Sequence, residues 1–431
     1  MRVYIVTLGC KVNEVDSELY AQELRSLGAD ITDTLNDADA VIVNSCSVTN
    51  KAQAQSLQLV RRTLRARWGV PVYLTGCGAA LLKLTHRDAP LGVIIVSMHD
   101  RSRLARRVVN EPRKRTPRPE WIDETIVRPG PRNRVDVRIQ EGCDNMCAYC
   151  IVPQVRGSRP RSKSSDVVVR EIMNLAGKGV KEVILTGTEI GRYGEAAGAL
   201  PALLDAIMRE LERAQLVTRV RISSLNPDAV SDELVEQFRI HRSLCPHLHL
   251  ALQSGSDAVL RRMRRPYLSA DLISSVRRLR SFDANFALTT DIIVGFPGET
   301  EGDFLDTVDA VRTSAFAKVH VFPFSPRPFT PAARDPGQVS PATIRERVHR
   351  MLAVGAETGL HYAQRFIGRD ATIISEKVGP GRAEGYSEYY LWTEVRCEPQ
   401  TMPARDILLQ AAVDSCRYEG DRVILTGSVR S

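Results

Sequence analysis

The sequence predicts an α/β protein in three parts: an open parallel-sheet domain, a partial (β/α) barrel and a small terminal β-barrel. Three observations carry that prediction. Apolar strand-like runs alternate with amphipathic helical runs over residues 2–96 and again over 135–322. A stretch rich in proline and arginine, 110–131, separates the two series. Beyond about residue 366 the helical period gives way to short β-prone runs broken by glycine, proline and charge. At about 150 residues per domain, a 431-residue chain holds roughly three domains. The expected boundaries are 1–109, a linker at 110–131, 132–365 and 366–431.

In the first domain, strands are predicted at 2–8, 40–44, 72–75 and 92–96, with helices from Ser17 to Leu27 and from Ala52 to Arg67. Cys10, Cys46 and Cys77 stand at the ends of the first three strands. Loops at the carboxyl ends of parallel strands converge on the usual site of an open α/β sheet. A single such cysteine reads as a small buried hydrophobe, but three at equivalent positions can meet. Gly76-Cys77-Gly78 does not open a dinucleotide loop, because Leu81 stands where the third glycine is needed.

In the central part, strands are predicted near 135–140, 182–186, 219–223, 248–252, 287–293 and 318–322. Helices lie between them, at Ser165–Lys178, Leu200–Ala214, Ser231–Ile240 and Ala270–Phe282, and a long one spans Val339 to Ile367. Such a barrel works at the carboxyl ends of its strands. The loop after the first strand carries Cys143, Cys147 and Cys150, spaced C-x3-C-x2-C. Three thiolates this close can bind one iron–sulfur cluster or one metal ion. A structural zinc site wants four protein ligands, and no fourth cysteine follows nearby, so a 4Fe-4S cube here leaves one iron open. Later strand ends carry polar turns: Thr186–Gly191, Ser223–Ser224, Gln253–Ser256 and Asp291–Thr300.

Composition narrows the class. The longest apolar stretches, such as Leu91–Met98, are too short to span a membrane, and the N-terminal apolar run is too short for a signal peptide. Nine cysteines without a secretion signal point to a reducing cytoplasm and metal chemistry rather than disulfides. The net charge of +8 is unevenly spread. Arg101, Arg103, Arg106, Arg107, Arg113, Lys114, Arg115 and Arg118 face Glu111 alone in residues 101–119. Further clusters lie at Arg156, Arg159, Arg161 and Lys163, and at Arg261, Arg262, Arg264 and Arg265. Such patches suit a phosphate backbone. The tail, by contrast, has eight Lys and Arg against ten Asp and Glu. Its Tyr386, Tyr389, Tyr390 and Trp392 can stack on bases or form a strand core.

These motifs resemble those of a known family. The Cys143–Cys150 triplet is similar to the signature of radical S-adenosylmethionine enzymes, and its continuation to Ser162 resembles the methylthiotransferases. Thr7-Leu-Gly-Cys10-Lys-Val-Asn13, Asn44-Ser-Cys46-Ser-Val-Thr49 and Thr75-Gly-Cys77 resemble that family's N-terminal domain. Glu384-Gly-Tyr-Ser-Glu-Tyr-Tyr390 resembles a TRAM domain, an RNA-binding module. The resemblance implies two 4Fe-4S clusters, one on Cys143/Cys147/Cys150 and an auxiliary one on Cys10/Cys46/Cys77. It implies S-adenosylmethionine held near Gly187, Thr188, Glu189, Ser223, Gln253 and Asp291. A 5′-deoxyadenosyl radical would then activate a substrate carbon, and the auxiliary cluster would deliver methylthio. Lys11-Val12-Asn13 resembles the branch acting on N6-threonylcarbamoyladenosine in the tRNA anticodon stem-loop. Other branches act on isopentenyladenosine or on a ribosomal protein. The implied partners are tRNA, a flavodoxin- or ferredoxin-type electron donor and a sulfur source. Phe324-Ser-Pro-Arg327 and Thr330-Pro-Ala332 also match the family, without a role that chemistry alone supplies.

Overall fold

The computed structural model describes residues 1–86, 89–110, 121–127, 133–398 and 403–430. The first unit runs β1 (Arg2–Thr7), α1 (Lys11–Ser26), β2 (Asp30–Thr32), β3 (Ala40–Ser45), α2 (Asn50–Ala66), β4 (Val72–Thr75), α3 (Gly76–Leu84), β5 (Val93–Ile95) and α4 (Leu104–Val108). Its parallel sheet has the order β2-β1-β3-β4-β5. The central strand β3 is buried throughout, because helices cover both faces, which is why it reads as an unbroken apolar run. Two expectations change here. The short edge strand β2 was not anticipated, and α1 begins at Lys11 rather than Ser17. The early turns of α1 bury Asn13, Asp16 and Ser17, polar residues that periodicity alone counts as exposed.

The second unit follows with β6 (Arg134–Glu141), α5 (Val152–Arg156), β7 (Arg161–Ser162), α6 (Ser165–Gly177), β8 (Glu182–Gly187), α7 (Ala199–Arg213), β9 (Arg219–Ile222) and β10 (Ser224–Leu225). It continues through α8 (Asp232–Ile240), β11 (His247–Leu250), α9 (Asp257–Arg262), α10 (Ser269–Phe282), β12 (Ala287–Val294), α11 (Glu301–Ser314), β13 (Lys318–Pro323) and α12 (Pro341–Gln364). Parallel ladders β6-β8-β9 and β10-β11-β12-β13 join through the Val220–Leu244 bridge into the expected partial barrel. Outward residues Val135, Val137, Ile139, Val183, Leu185, Val220 and Ile222 pack beneath α6 and α7. Nothing so apolar lies on the other face of β6, where Arg138 instead meets Asp16 of α1.

Part of the expected linker, 111–120 and 128–131, lies outside the described residues, and with it Arg113, Lys114, Arg115 and Arg118. Residues 121–127 are packed rather than loose. Trp121 stacks near Tyr20, donates to Asp16 at 2.9 Å, and Ile126 donates to Glu171 at 2.7 Å.

The tail forms β14 (Asp370–Ile374), β15 (Lys377–Gly379), β16 (Arg382–Tyr386), β17 (Trp392–Arg396), β18 (Leu408–Glu419) and β19 (Arg422–Val429). Its sheet order is β14-β18-β19-β17-β16-β15, and an Ile373–Ser387 bridge curls it towards closure. The tail seals the amino-terminal end of the barrel. Arg219 donates to the carbonyls of Thr372 and Tyr386, and Arg221 to those of Ser387 and Glu388. The aromatic residues expected as candidate base-stackers serve this contact. Tyr390 stacks on His247 and Tyr386, Tyr389 lies on Phe366, and Trp392 is buried. Removing residues 366–431 would therefore strand buried arginines, so a truncation tests folding before it tests RNA binding. Among the described residues no helix is long and apolar enough to cross a membrane.

Candidate active site

The Cys143–Cys150 loop is held at the carboxyl end of β6 by backbone contacts on both sides. Gly142 takes φ +85° and passes so close to Arg159 that a Cβ would lie 2.1 Å from its carbonyl oxygen, so only glycine serves. Cys143 N–H donates to Gly157 O at 3.1 Å, and Ala148 N–H to Met263 O at 2.9 Å. Ala332 N–H then donates to Ala148 O at 2.9 Å. Ala148 packs with Val259, Met263, Phe296 and Phe324, an apolar wall around the loop. The Phe324–Arg327 and Thr330–Ala332 motifs thereby acquire structural roles. Arg327, 1% exposed, pairs with Asn50 and with Gln53 at 2.6 Å, tying the barrel's last strand loop to the start of α2.

Burial raises Cys143 to about 11 and Cys150 to about 12, and the nearby Cys147 adds to both rises. These groups ionise when a metal centre takes their protons, not through bulk pH. Arg265 donates to Cys147 Sγ at 3.1 Å and to Tyr267 Oη at 2.8 Å, and also holds Asn226. The sequence places Arg265 in a phosphate-binding patch; the structure corrects this, because its guanidinium faces the cysteine loop.

Cys10, Cys46 and Cys77 do converge. Gly9, at φ +114°, lies against Cys46, where a Cβ would come within 3.0 Å of its sulfur. Cys77 lies in the first turn of α3, buried, and its thiol is raised to about 11 by burial, with Cys10 and Cys46 adding to the rise. Cys10 alone of the three is exposed, so this triad opens at that corner. Cys77 and Leu81 also pack against Ile151 and Val155, the residues that follow Cys150. The two triads share a wall.

Among the described residues no group of His, Cys, Asp or Glu stands close enough to hold one metal ion. A four-iron cube takes each thiolate at a separate corner and needs them further apart than a single ion does. The donor set, three thiols in each triad with Cys10 exposed in one and Cys143 and Cys150 half-buried in the other, fits such a cube.

The expected cofactor turn is polar. Glu189 N–H donates to Gln140 Oε1 at 2.8 Å, Asn145 donates to the Glu189 carboxylate at 3.2 Å, and Thr188 Oγ1 is buried without a partner. Burial raises Glu189 to about 7, against the pull of Arg265. A buried carboxyl in that state, beside an orphaned hydroxyl, fits an ammonium-bearing ligand that supplies both with a partner. Gln253 adopts φ +68°, rare for a side chain of its size, and its backbone is stitched to Asp291 and Ile293. Ser223 is buried at the end of β9, and Gly187 ends β8. Asp291 instead faces His249 at 3.3 Å on the neighbouring strand. Sequence reasoning missed Asn145, Gln140, Asn226, Tyr267 and the cysteine-facing role of Arg265. Only the basic run around Arg265 gave a signal, and it pointed elsewhere.

Residues 137–311 match the model of the Radical SAM superfamily, and residues 2–94 that of the uncharacterized protein family UPF0004. The threonylcarbamoyladenosine tRNA methylthiotransferase MtaB of Thermotoga maritima is 37% identical over 404 residues, covering 90% of each chain. The chain belongs to the radical S-adenosylmethionine methylthiotransferases. The Bacillus subtilis MtaB is 34% identical, covering 89% of this chain and 88% of its own. A tRNA-2-methylthio-N(6)-dimethylallyladenosine synthase of Parafrankia is 35% identical over 88% of this chain and 78% of that one. Among solved structures, the radical S-adenosylmethionine methyltransferase TsrM of Kitasatospora setae shares the fold, with TM-score 0.55 at 15% identity, covering 89% of this chain and 80% of that one.

The remaining cysteines stand apart from them. Cys245 is buried beneath β9 with Glu182 at 3.9 Å, Cys397 follows β17, and Cys416 lies in β18 of the tail sheet. Replacing each by serine leaves the iron content of the reconstituted protein unchanged; iron analysis of the three variants checks this, and a fall in any one would reveal a further ligand.

Proposed function

We propose that this methylthiotransferase adds a methylthio group to carbon 2 of N6-threonylcarbamoyladenosine in tRNA. The observation that carries this reading is the shared wall between two cysteine triads, in a chain related over nine-tenths of its length to the MtaB enzyme of Thermotoga maritima. Cys143, Cys147 and Cys150 would hold one 4Fe-4S cluster, and Cys10, Cys46 and Cys77 the other. When bound, the clusters and S-adenosylmethionine supply the radical that activates the substrate carbon and the sulfur that is transferred.

The chain's residues supply the setting. Glu189, Thr188 and Asn145 offer polar groups for the amino end of the cofactor, with Ser223 and Gln253 at adjoining strand ends and Asp291 further along the inner face. Phe296, Phe324 and Met263 keep water from the first loop. The exposed Cys10 corner leaves a way in for the nucleoside.

The test is mass spectrometry of tRNA nucleosides from a strain lacking the gene. The 2-methylthio form of threonylcarbamoyladenosine is expected to vanish; loss of the isopentenyl counterpart instead would assign the neighbouring branch.

The phosphate-binding surface differs from the one expected. Lys163 is 1% exposed and paired with Glu171 at 2.7 Å, and Arg101 and Arg156 are buried against Glu141. Arg159 and Arg161 remain exposed, on the rim of a cleft of about 430 Å³ also lined by His99 and Gln154. Reversing Arg159 and Arg161 to Glu is expected to weaken tRNA binding and flatten the slope of log affinity against log salt by roughly 0.7–0.9 per phosphate lost. The same change at Lys163 would instead unfold the protein locally. A salt titration with denaturation controls separates the two.

A further inference from the structure

Arg156 is the last residue of α5, six positions after Cys150, yet its side chain leaves the barrel and enters the first domain. It is 7% exposed. Every nitrogen of its guanidinium is engaged. Nε donates to Cys77 Sγ at 3.2 Å, Nη1 to Glu141 at 2.9 Å, and Nη2 to Asn13 at 2.5 Å and Asp16 at 2.8 Å. Those partners come from α3, from the residue before Gly142, and from α1. One side chain therefore bridges the wall between the triads.

The charges around it do not balance. Asp16 and Glu141 are met by three buried guanidinium groups, Arg101, Arg138 and Arg156, with the half-exposed Arg161 a fourth at 3.8 Å from Glu141. Trp121 takes up part of the excess, lying 5.0 Å from Arg101 and 5.5 Å from Arg138. Excess buried positive charge is costly. A ligating Cys77 sulfur, 3.2 Å from Arg156 Nε, would be placed to offset it.

We infer that Arg156 is a positioning residue of the reaction: it donates an N–H···S hydrogen bond to Cys77, raising the reduction potential of the cluster bound there, and fixes the spacing of the two triads. This rests on the ligand assignment proposed above. A donor aimed at a ligand sulfur draws off negative charge and so favours the reduced cluster, one of the protein's recognised controls on potential. Burial strengthens the effect. Lysine has the same charge but a single ammonium on a flexible stem, and cannot serve sulfur, amide and two carboxylates together.

The experiment uses the full chain with Cys143, Cys147 and Cys150 changed to alanine, so that only the second cluster is observed. Redox titrations compare that protein with versions also carrying Arg156→Lys or Arg101→Lys. Both substitutions conserve charge and disturb the same buried network, but only Arg156 touches sulfur. Arg156→Lys is expected to lower the reduction equilibrium constant roughly tenfold, about 59 mV for a one-electron couple. Arg101→Lys is expected to leave it at the parent value. Equal potentials for Arg156→Lys and its parent, or equal shifts in both variants, would overturn the inference. The same triple variant labelled with 15N-arginine gives a second measurement that leaves Arg156 unaltered: with Arg265 no longer beside a cluster ligand, the reduced second cluster should show hyperfine coupling to a guanidinium nitrogen. Absence of that coupling would also overturn it. Failure of the triple variant to bind any iron would instead show that Cys10, Cys46 and Cys77 are not ligands, and the inference would fall with that assignment.

Discussion

Replacing Cys143, Cys147 and Cys150 together by alanine halves the iron of the reconstituted protein, from about eight atoms to about four, and abolishes 5′-deoxyadenosine formation. On the proposed assignment each triad holds one cube. Loss of the first triad would then remove the cofactor-cleaving site and leave the second intact, because the two share a wall of Cys77, Leu81, Ile151 and Val155 but no proposed ligand. Changing Cys10, Cys46 and Cys77 has the complementary result: cofactor cleavage persists and no methylthio product forms. Iron analysis with anaerobic turnover in dithionite measures both. Full iron in the first variant would refute the ligand assignment, and loss of cleavage in a folded second variant would refute the division of labour.

Glu182→Gln destabilises the protein by about 3–5 kcal/mol, the usual cost of removing one partner from a buried ion pair. Glu182 is fully buried at the start of β8 and accepts from Arg134 at 3.0 Å, Arg219 at 2.6 Å and Arg221 at 3.0 Å. Those arginines in turn reach the tail: Arg134 pairs with Glu376 at 2.8 Å, and Arg219 and Arg221 bond its carbonyls. Loss of the carboxylate leaves the buried Arg219 and Arg221 and the half-buried Arg134 without their common partner and loosens the tail from the barrel. Burial opposes the ionisation of Glu182, but the arginines outweigh it and hold its carboxyl well below the ordinary 4.5. Its contribution is therefore complete above that ordinary value and shrinks as the pH falls towards the folded-state one. Urea unfolding of wild type and variant at neutral pH should show the full gap, and the gap should narrow in acid. An equal gap at pH 7 and pH 3 would mean that the effect is packing rather than charge.

The order of strands and helices was legible in the chain because it depends on local periodicity. Buried parallel strands such as Ala40–Ser45 and Glu182–Gly187 read as apolar runs, and the long helix Pro341–Gln364 carries its own serine cap and proline start. Both cysteine triads could be read as well. One is local in sequence, and the other falls at equivalent ends of successive strands, where topology brings loops together.

What the sequence could not decide was the fate of its charges. Arg156, Lys163 and Arg265 look like their exposed neighbours in a one-dimensional list, yet each is drawn inward, Lys163 by Glu171 eight positions on and the other two by partners far along the chain. Asp16 lies 140 positions before Arg156, and Cys147 lies 118 before Arg265. Hydrophobic periodicity reports which face of an element meets the core, but it carries no information on which element will meet it. A buried charge is tolerated only where its counter-charge also arrives. Only the assembled barrel, with α1 laid across β6 and the tail beneath, brings those pairs together.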